Sequence, residues 1–464
     1  VEKRASFSHL GFIIAAAGSA IGLGNIWKFP YITYANEGGS FVLIYLAAVA
    51  AIGAPVMMAE ILIGRRTSKS PVSAFLELAR GIAGGRLWAG VGYLGVATGF
   101  IILSYYSVVA GWTVYYFGKC LYWSVTGFTP EIASGLGDQF GFFLGNGWLQ
   151  LTFSILFMLM TMAVILMGVS KGIEGVTRVL MPILFVMLIS LCVVSAWSPG
   201  FHEAIAFLFK SSHITRDGIL EAVGQAFFSL SLGMGAMITY GSYTERTQSI
   251  RRDTAMVCIL DTAIALMASL VMFSIIFSVP AAEREGTFTA SSTILFTTIP
   301  RMLYALPGGV LWTPMFYLLV AFAALTSTIS LLEVVVSYFI DHLGWSRPRS
   351  TWIVGLVTIA LGGFSALSFG AYAPFSGVRP FGHHAVGIFD SMDYLATNWL
   401  LPVGGFFIAV FTGWFLSNRL TRDELEAGAG PFPLHWVWKW ALRVLCPVAI
   451  GWILFAVVHG KAFN

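Results

Sequence analysis

About eleven runs of roughly twenty or more apolar residues, the length a membrane core demands, recur along the 464-residue chain, near 10–36, 40–64, 88–118, 148–168, 173–196, 220–244, 255–280, 310–340, 351–369, 394–417 and 434–459. Such runs cross the hydrocarbon as helices, which satisfy their own backbone polar groups, and they are too long and too continuously apolar for barrel strands. The expected fold is therefore an all-α integral membrane bundle. Composition agrees: 57% of residues are hydrophobic and 10% charged, against roughly a quarter charged in soluble domains.

Lys3 and Arg4 ahead of the first run resemble the start of a secretory leader. The run nevertheless continues into Asn25, Lys28 and Pro30 and is soon followed by a second span, so we read it as a first transmembrane span. With the N-terminus cytoplasmic and spans alternating, 18 Lys and Arg fall in inner loops and 7 in outer ones, with Lys28 alone inside a span. The positive-inside rule then fixes the orientation and puts Asn464 outside. The net charge of +4 is absorbed by this topology and gives no reason to expect nucleic acid. Four scattered cysteines, of which only Cys120 lies near the outer surface, offer no extracellular disulfide.

Two spans are interrupted in their middles. The first contains GSAIGLGN, from Gly18, and the sixth contains SLSLGMGA, Ser229 to Ala236. They stand five spans apart, the pattern of an inverted 5+5 repeat in which each half opens with a broken helix. We therefore expect one transporter domain over 1–464, with a first repeat at 1–196, an inverted second repeat at 215–418 and an additional span at 434–459. Glycines also serve ordinary close packing of helices, but the same interruption in both halves, joined to intramembrane polar groups, favours broken helices.

Ionisable residues inside spans are expensive and usually face a cavity or a partner. Here they are Lys28, Glu37, Glu60, Asp261, Glu333 and Asp393. A breaking helix releases carbonyls that suit a small cation and N–H groups that suit a carboxylate. Gly18, Ala20 and Ile21 would offer carbonyls and Asn25 an amide oxygen, while the half-helix near Leu23 would present its positive end to an anion. In the eighth span Ala323, Thr326, Ser327 and Ser330 share a helix face. Their oxygens suit Na⁺ and equally suit bonds back to their own helix. Ile102 and Tyr106 share a face of the third span, where the buried hydroxyl needs a helix carbonyl or a substrate carboxylate.

The segments GSAIGLGNIWKFPY, NEGGSF, AVGQAFFSLSLGMGAMITYGSY and ALTSTIS, with the Tyr-Tyr of the third span, closely resemble the neurotransmitter:sodium symporter family, and within it the bacterial amino-acid transporter branch. The resemblance runs along nearly the whole chain. It implies Na⁺-coupled symport by alternating access in a bacterial inner membrane, with two Na⁺ ions and no organic cofactor. It implies a first Na⁺ site at Ala20, Asn25, Ser229 and Asp261, and a second at Gly18, Ile21, Ala323, Thr326 and Ser327. The substrate would lie among Ser19, Ala20, Leu23, Gly24, Ile102, Tyr106, Phe228, Ser231, Met234, Ser327 and Leu331. An outer gate would use Lys28, Asp393, Tyr106 and Phe228, and an inner gate Asp341 and Tyr243 with Lys3 or Arg4. Gly172 and Pro182 resemble a hinge that unwinds toward the cytoplasm, although both are also plain kink formers.

Two departures carry information. Lys28 replaces the family's usual Arg, giving a point charge without a planar fork and so a looser gate. Asp261 stands where many relatives have Asn; an acid beside Na⁺ supplies the charge that animal members obtain from chloride, so chloride should not be required. The pocket residues are apolar and contain nothing to balance a second charge, which favours a neutral hydrophobic L-amino acid. Met234 adds tolerance for different shapes. The missing twelfth span suggests a monomer or weak dimer. An integral membrane enzyme would need a catalytic set, yet neither HExxH nor GxSxG occurs. A multi-pass channel would need a continuous polar lining that Phe228 and Ile102 would close.

Overall fold

The computed structural model describes residues 6–82, 84–210, 213, 215–279 and 294–462. The described residues form helices and their connections, with no strand among them. Nine helices are long and apolar enough to cross a membrane unbroken: Gly39–Thr67, Gly85–Thr126, Gly147–Leu166, Val169–Ser195, Ile250–Ile276, Gly309–Leu343, Arg347–Leu367, Ile388–Phe415 and His435–Val458. The first span is the pair His9–Ala20 and Gly24–Ala35, bent by 50° at its break. The sixth comprises Arg216–Ser229 and Ala236–Gly241, with residues 230–235 outside either helix. Ten of the eleven expected spans are thus long and apolar enough to cross a membrane, counting the bent pair as one, and the sixth is present as two shorter helices.

Contacts sort the connections into two ends, as alternating spans require. At one end the Phe7 N–H donates to the Tyr243 carbonyl (2.9 Å), the Ser70 N–H donates to Asp341 (2.6 Å), and Ser8 bonds Glu174 through both its N–H and its hydroxyl. At the other, Ser124 donates to the Val310 carbonyl (2.6 Å), and Lys461 pairs with Asp217 and Glu221 (3.2 and 3.3 Å). The eighth span is central and almost wholly buried, and the eleventh is the least enclosed of these helices. Small residues let the second and sixth spans touch: a Cβ on Gly241 would lie 2.6 Å from the Ile61 carbonyl oxygen.

Several expectations need correction. Glu37 is not inside a span; it is exposed in the turn after the first span, with a positive φ of 60°. Lys28 is not the only cation within a span, because Lys439 and Arg443 belong to the eleventh helix and Arg65 and Arg66 to the second. The third span is longer than its apolar run, continuing to Thr126 because nothing in KCLYWSVT before Gly127 breaks a helix. Connections at the predicted outer end carry short helices, Pro130–Ser134, Leu136–Gly145 and Phe201–Phe209.

Arg65 closes the predicted inner end. Its guanidinium is buried against Glu424 of the short helix Asn418–Glu426, with Nε 3.0 Å from the carboxylate, and it donates to the carbonyls of Gln248 (2.7 Å) and Glu424. Removing one member of a buried pair strands the other charge, at a cost of about 3–5 kcal/mol. Glu424→Leu should therefore lower the unfolding midpoint of the detergent-solubilised protein sharply. Arg65→Met combined with Glu424→Leu should recover much of that loss. Equal losses in the single and double variants would show that the pair does not act as a unit.

Candidate functional site

The first break is a rerouting of backbone hydrogen bonds. The helix ends at Ala20, Ile21 is extended (φ −74°, ψ 107°), and winding resumes at Gly24 in a π-helical turn. The Gly22 N–H donates to Asn25 Oδ1 (3.1 Å), and the Leu23 N–H donates to the Tyr106 hydroxyl (3.0 Å). The Asn25 N–H goes to the Gly22 carbonyl (3.2 Å), not to that of Ile21. The carbonyls so released acquire side-chain donors: Ser231 bonds Ser19 O (2.8 Å) and Ser327 bonds Ile21 O (3.2 Å).

The second break alternates left-handed positions, Ser231 (φ 54°), Gly233 (φ 84°) and Gly235 (φ 76°). Glycine takes this conformation freely, whereas a serine pays strain of order 1–3 kcal/mol. At Ser231 the compensation is the bond to Ser19, which ties one broken helix to the other. The Gly233 N–H donates to buried Glu60 of the second span (2.7 Å).

Around Asp261 of the seventh span the polar groups converge. Ser229 Oγ lies 2.9 and 2.7 Å from its two carboxylate oxygens, Asn25 Nδ2 2.7 Å from Oδ1, and the Tyr45 hydroxyl 3.2 Å from Oδ2. All four side chains are buried. Among the described residues no Lys or Arg forms an ion pair with Asp261, so neutral dipoles alone surround it. Carboxylate, amide and hydroxyl are oxygen donors suited to a hard cation.

A second oxygen cluster lies nearby. Thr326 Oγ1 is 3.0 Å from the Ala323 carbonyl, Ser327 faces Ile21, and a Cβ on Gly18 would stand 3.2 Å from the Thr326 Cβ. Between the clusters is a small cavity. Its wall brings together the candidate residues Ser19, Ala20, Gly24, Ile102, Tyr106, Phe228, Ser231, Met234, Ser327 and Leu331 with Gly22, Ser229, Ser330 and Leu401. Leu23 does not line it but bonds Tyr106. A Cβ on Gly22 would sit 2.6 Å from Ser327 Oγ and 2.9 Å from the Tyr106 oxygen, so a side chain there would obstruct the space these hydroxyls face.

Phe228 and Leu401 also line a second small cavity, bordered by Lys28 and Glu221, and so partition the two. The Lys28 ammonium lies 4.8 Å from the Phe228 ring centroid. Among the described residues it is not brought into an ion pair with Asp393. At the opposite end, Tyr243 donates to Glu333 (2.6 Å), which Arg347 grips with two bonds of 2.7 and 2.8 Å. Asp341 accepts from Ser70, while Lys3 and Arg4 lie outside the described residues. Gly172 falls in a π-helical turn and the helix Gly175–Ser195 runs through Pro182, so the stretch between them is wound here.

Residue patterns missed Tyr45, Leu401 and Arg347, and left Glu60 and Ser330, both visible as polar groups within spans, without a place in the site. Tyr45 and Leu401 look like ordinary apolar-span residues; the lone Glu60 and Glu333 in apolar helices carried a readable signal.

The sequence profile of the Sodium:neurotransmitter symporter family matches residues 4–128 and 143–462. An uncharacterized sodium-dependent transporter of Bacillus subtilis, YhdH, is 35% identical over 96% of this chain and 95% of its own length. The crystal structure of MhsT in complex with L-phenylalanine superposes with a TM-score of 0.86 at 37% identity, covering 98% of this chain and all of that one. A sodium- and chloride-dependent taurine transporter of Rattus norvegicus is 24% identical over 97% of this chain and 77% of its own length. The chain belongs to the sodium:neurotransmitter symporter family and is a multi-pass, sodium-coupled membrane transporter of a small molecule, not an enzyme.

Proposed function

We propose that this chain is a chloride-independent symporter of Na⁺ with neutral hydrophobic L-amino acids. The observation that carries this is the Asp261 carboxylate, buried at the meeting of the two helix breaks and surrounded by Asn25, Ser229 and Tyr45. One Na⁺ would bind the Ala20 carbonyl, Asn25, Ser229 and Asp261. The Asn25 amide now turns nitrogen to Asp261 and oxygen to Gly22; half a turn about its terminal bond presents oxygen to the ion. A second Na⁺ would take Gly18, Ile21 and Ala323 carbonyls with the hydroxyls of Thr326 and Ser327.

The amino-acid carboxylate would meet the first Na⁺, the amides of Leu23 and Gly24 and the Tyr106 hydroxyl. Its ammonium would face the carbonyls of Ala20 and Phe228, with Ser231 close by. Opposite charges attract far more strongly in such a dry cavity than in water. Each ligand therefore favours the other, which is the basis of coupling.

Ile102, Phe228, Met234, Leu331 and Leu401 give the side chain an apolar wall, and no ionisable group other than Tyr106 lines the cavity. The complex of related MhsT with L-phenylalanine agrees with a bulky apolar side chain. Phe228 and Tyr106 would close the pocket outward beneath Lys28, with Asp393 joining Lys28 in a closed gate; Tyr243 and Asp341 would act at the inner end and Gly172 and Pro182 as the hinge. The two repeats would span 1–196 and 215–418, with the N-terminus cytoplasmic.

An inward Na⁺ gradient across proteoliposomes should drive uptake of labelled phenylalanine or leucine, and preloaded unlabelled substrate should accelerate it by counterflow. Uptake of equal size in K⁺ would refute the coupling. Asp261→Asn should weaken Na⁺ activation on the order of tenfold, about 1.4 kcal/mol, or make transport depend on added chloride; wild-type Na⁺ activation that stays chloride-free in the variant would remove the charge-supply role. Tyr106→Phe loses a hydrogen bond to a charged group worth about 1.5–3 kcal/mol, so amino-acid affinity should fall about 10- to 100-fold. Unchanged affinity would place the carboxylate elsewhere.

A further inference from the structure

At the predicted cytoplasmic end, where the tenth span stops at Phe415 and the eleventh starts at His435, lies an open cleft of about 870 Å³. It is apart from the transport pocket, and transport as described makes no use of it. Arg419 and Arg422 of the short helix Asn418–Glu426 form one side, and Lys439 and Arg443 of the eleventh span the other. The wall is completed by Asn418, His435, Trp436 and Trp440 and contains no carboxylate.

Local bonds consume this positive charge unevenly. Lys439 donates to the carbonyls of Thr412 (2.7 Å), in the last turn of the tenth span, and Leu416 (2.8 Å), just past it, and Arg443 donates through Nε to Gly413 (2.8 Å). Those bonds fix the two cations in place but involve only neutral carbonyls, so they leave their charge uncompensated. Arg422 meets Glu426 only at 3.8 Å on the exposed surface, a weak pairing. Arg419 is exposed and makes no side-chain bond among the described residues. His435 is tied to Thr421 (2.9 Å).

The cleft's outer edge is built for lipid. Trp414, Trp436 and Trp440 are exposed there, as are Val444 and Val448 farther along the eleventh helix. Exposed indoles collect at the headgroup level of a bilayer. The eleventh span offers a largely uncovered apolar face beneath them. Four cations above an apolar face and beside interfacial indoles call for a molecule with an anionic phosphate head and acyl chains. Arginine forks suit phosphate oxygens in pairs, and basic pockets at the cytoplasmic ends of spans hold such heads.

We infer that this cleft binds an anionic glycerophospholipid of the inner leaflet, its phosphate held by Arg419, Arg422, Lys439 and Arg443 and its chains lying along the eleventh span. The lipid would pin the tenth span to the eleventh next to the helix whose Glu424 holds Arg65.

The full chain in detergent is titrated with phosphatidylglycerol, phosphatidylcholine or soluble glycerol 3-phosphate while its unfolding midpoint is followed. Phosphatidylglycerol should raise the midpoint saturably and the other two should not. Arg419→Gln with Arg422→Gln should shift the phosphatidylglycerol titration to about 10- to 30-fold higher concentration, with Na⁺-dependent amino-acid binding retained. Should that double variant fail to bind amino acid, the single Arg419→Gln variant, which breaks no described bond, is read in its place and should shift about fivefold. An equal response to phosphatidylcholine, a full response to glycerol 3-phosphate, or an unmoved titration in the variant that binds amino acid would overturn the inference.

Discussion

In a hydrocarbon solvent no backbone N–H or C=O can be left without a partner, and the structure turns on how that rule is met where two helices stop winding. Each break is satisfied largely by groups outside its own helix. Ser231 and Ser327 supply donors to the first break, and Tyr106 accepts its Leu23 amide. Glu60 accepts from the second. The two breaks are therefore mutually dependent: unwinding one would be costly unless the other, and the third and eighth spans, stood where they do. A cavity bounded by carbonyls, hydroxyls and amides is the consequence.

Charges are placed by the same economy. At the predicted inner end, cation meets carboxylate directly, as in Arg65 with Glu424 and Arg347 with Glu333. At mid-membrane, Glu60 is held by a backbone amide and Asp261 by an amide and two hydroxyls. A carboxylate answered only by neutral dipoles is the more receptive to an added cation, because binding need not displace a fixed countercharge. That difference separates groups that close the molecule from the group proposed to meet Na⁺.

Much of this was legible in sequence because membrane constraints are strong and local. Apolar run length located the helices that cross, and the glycine-rich interruptions at Gly18–Asn25 and Ser229–Ala236 located both breaks. The oxygen-bearing residues on one face of the eighth span likewise come together near the first break. Illegible were contributions that depend on which helices become neighbours. Tyr45 reaches Asp261 from a span whose pattern is simply apolar, and Leu401 enters the pocket wall from the tenth span. Glu37 falls in the gap between the apolar runs 10–36 and 40–64, and the structure makes that gap a turn outside both spans. The Lys28 ammonium stands over the Phe228 ring, a choice between two neighbouring partners that spacing does not determine.

The central claim is that Na⁺ and the amino acid neutralise each other in the space beside Asp261. Thermodynamic linkage makes this reciprocal: if each strengthens the other, the shift in affinity must be the same in both directions. The direct measurement is equilibrium binding of labelled phenylalanine or leucine across a Na⁺ titration, paired with the Na⁺ midpoint at low and saturating amino acid. Coupling predicts that both affinities rise by one common factor, about 5- to 150-fold. A Na⁺ midpoint indifferent to the amino acid, with amino acid bound equally well in K⁺, would contradict it.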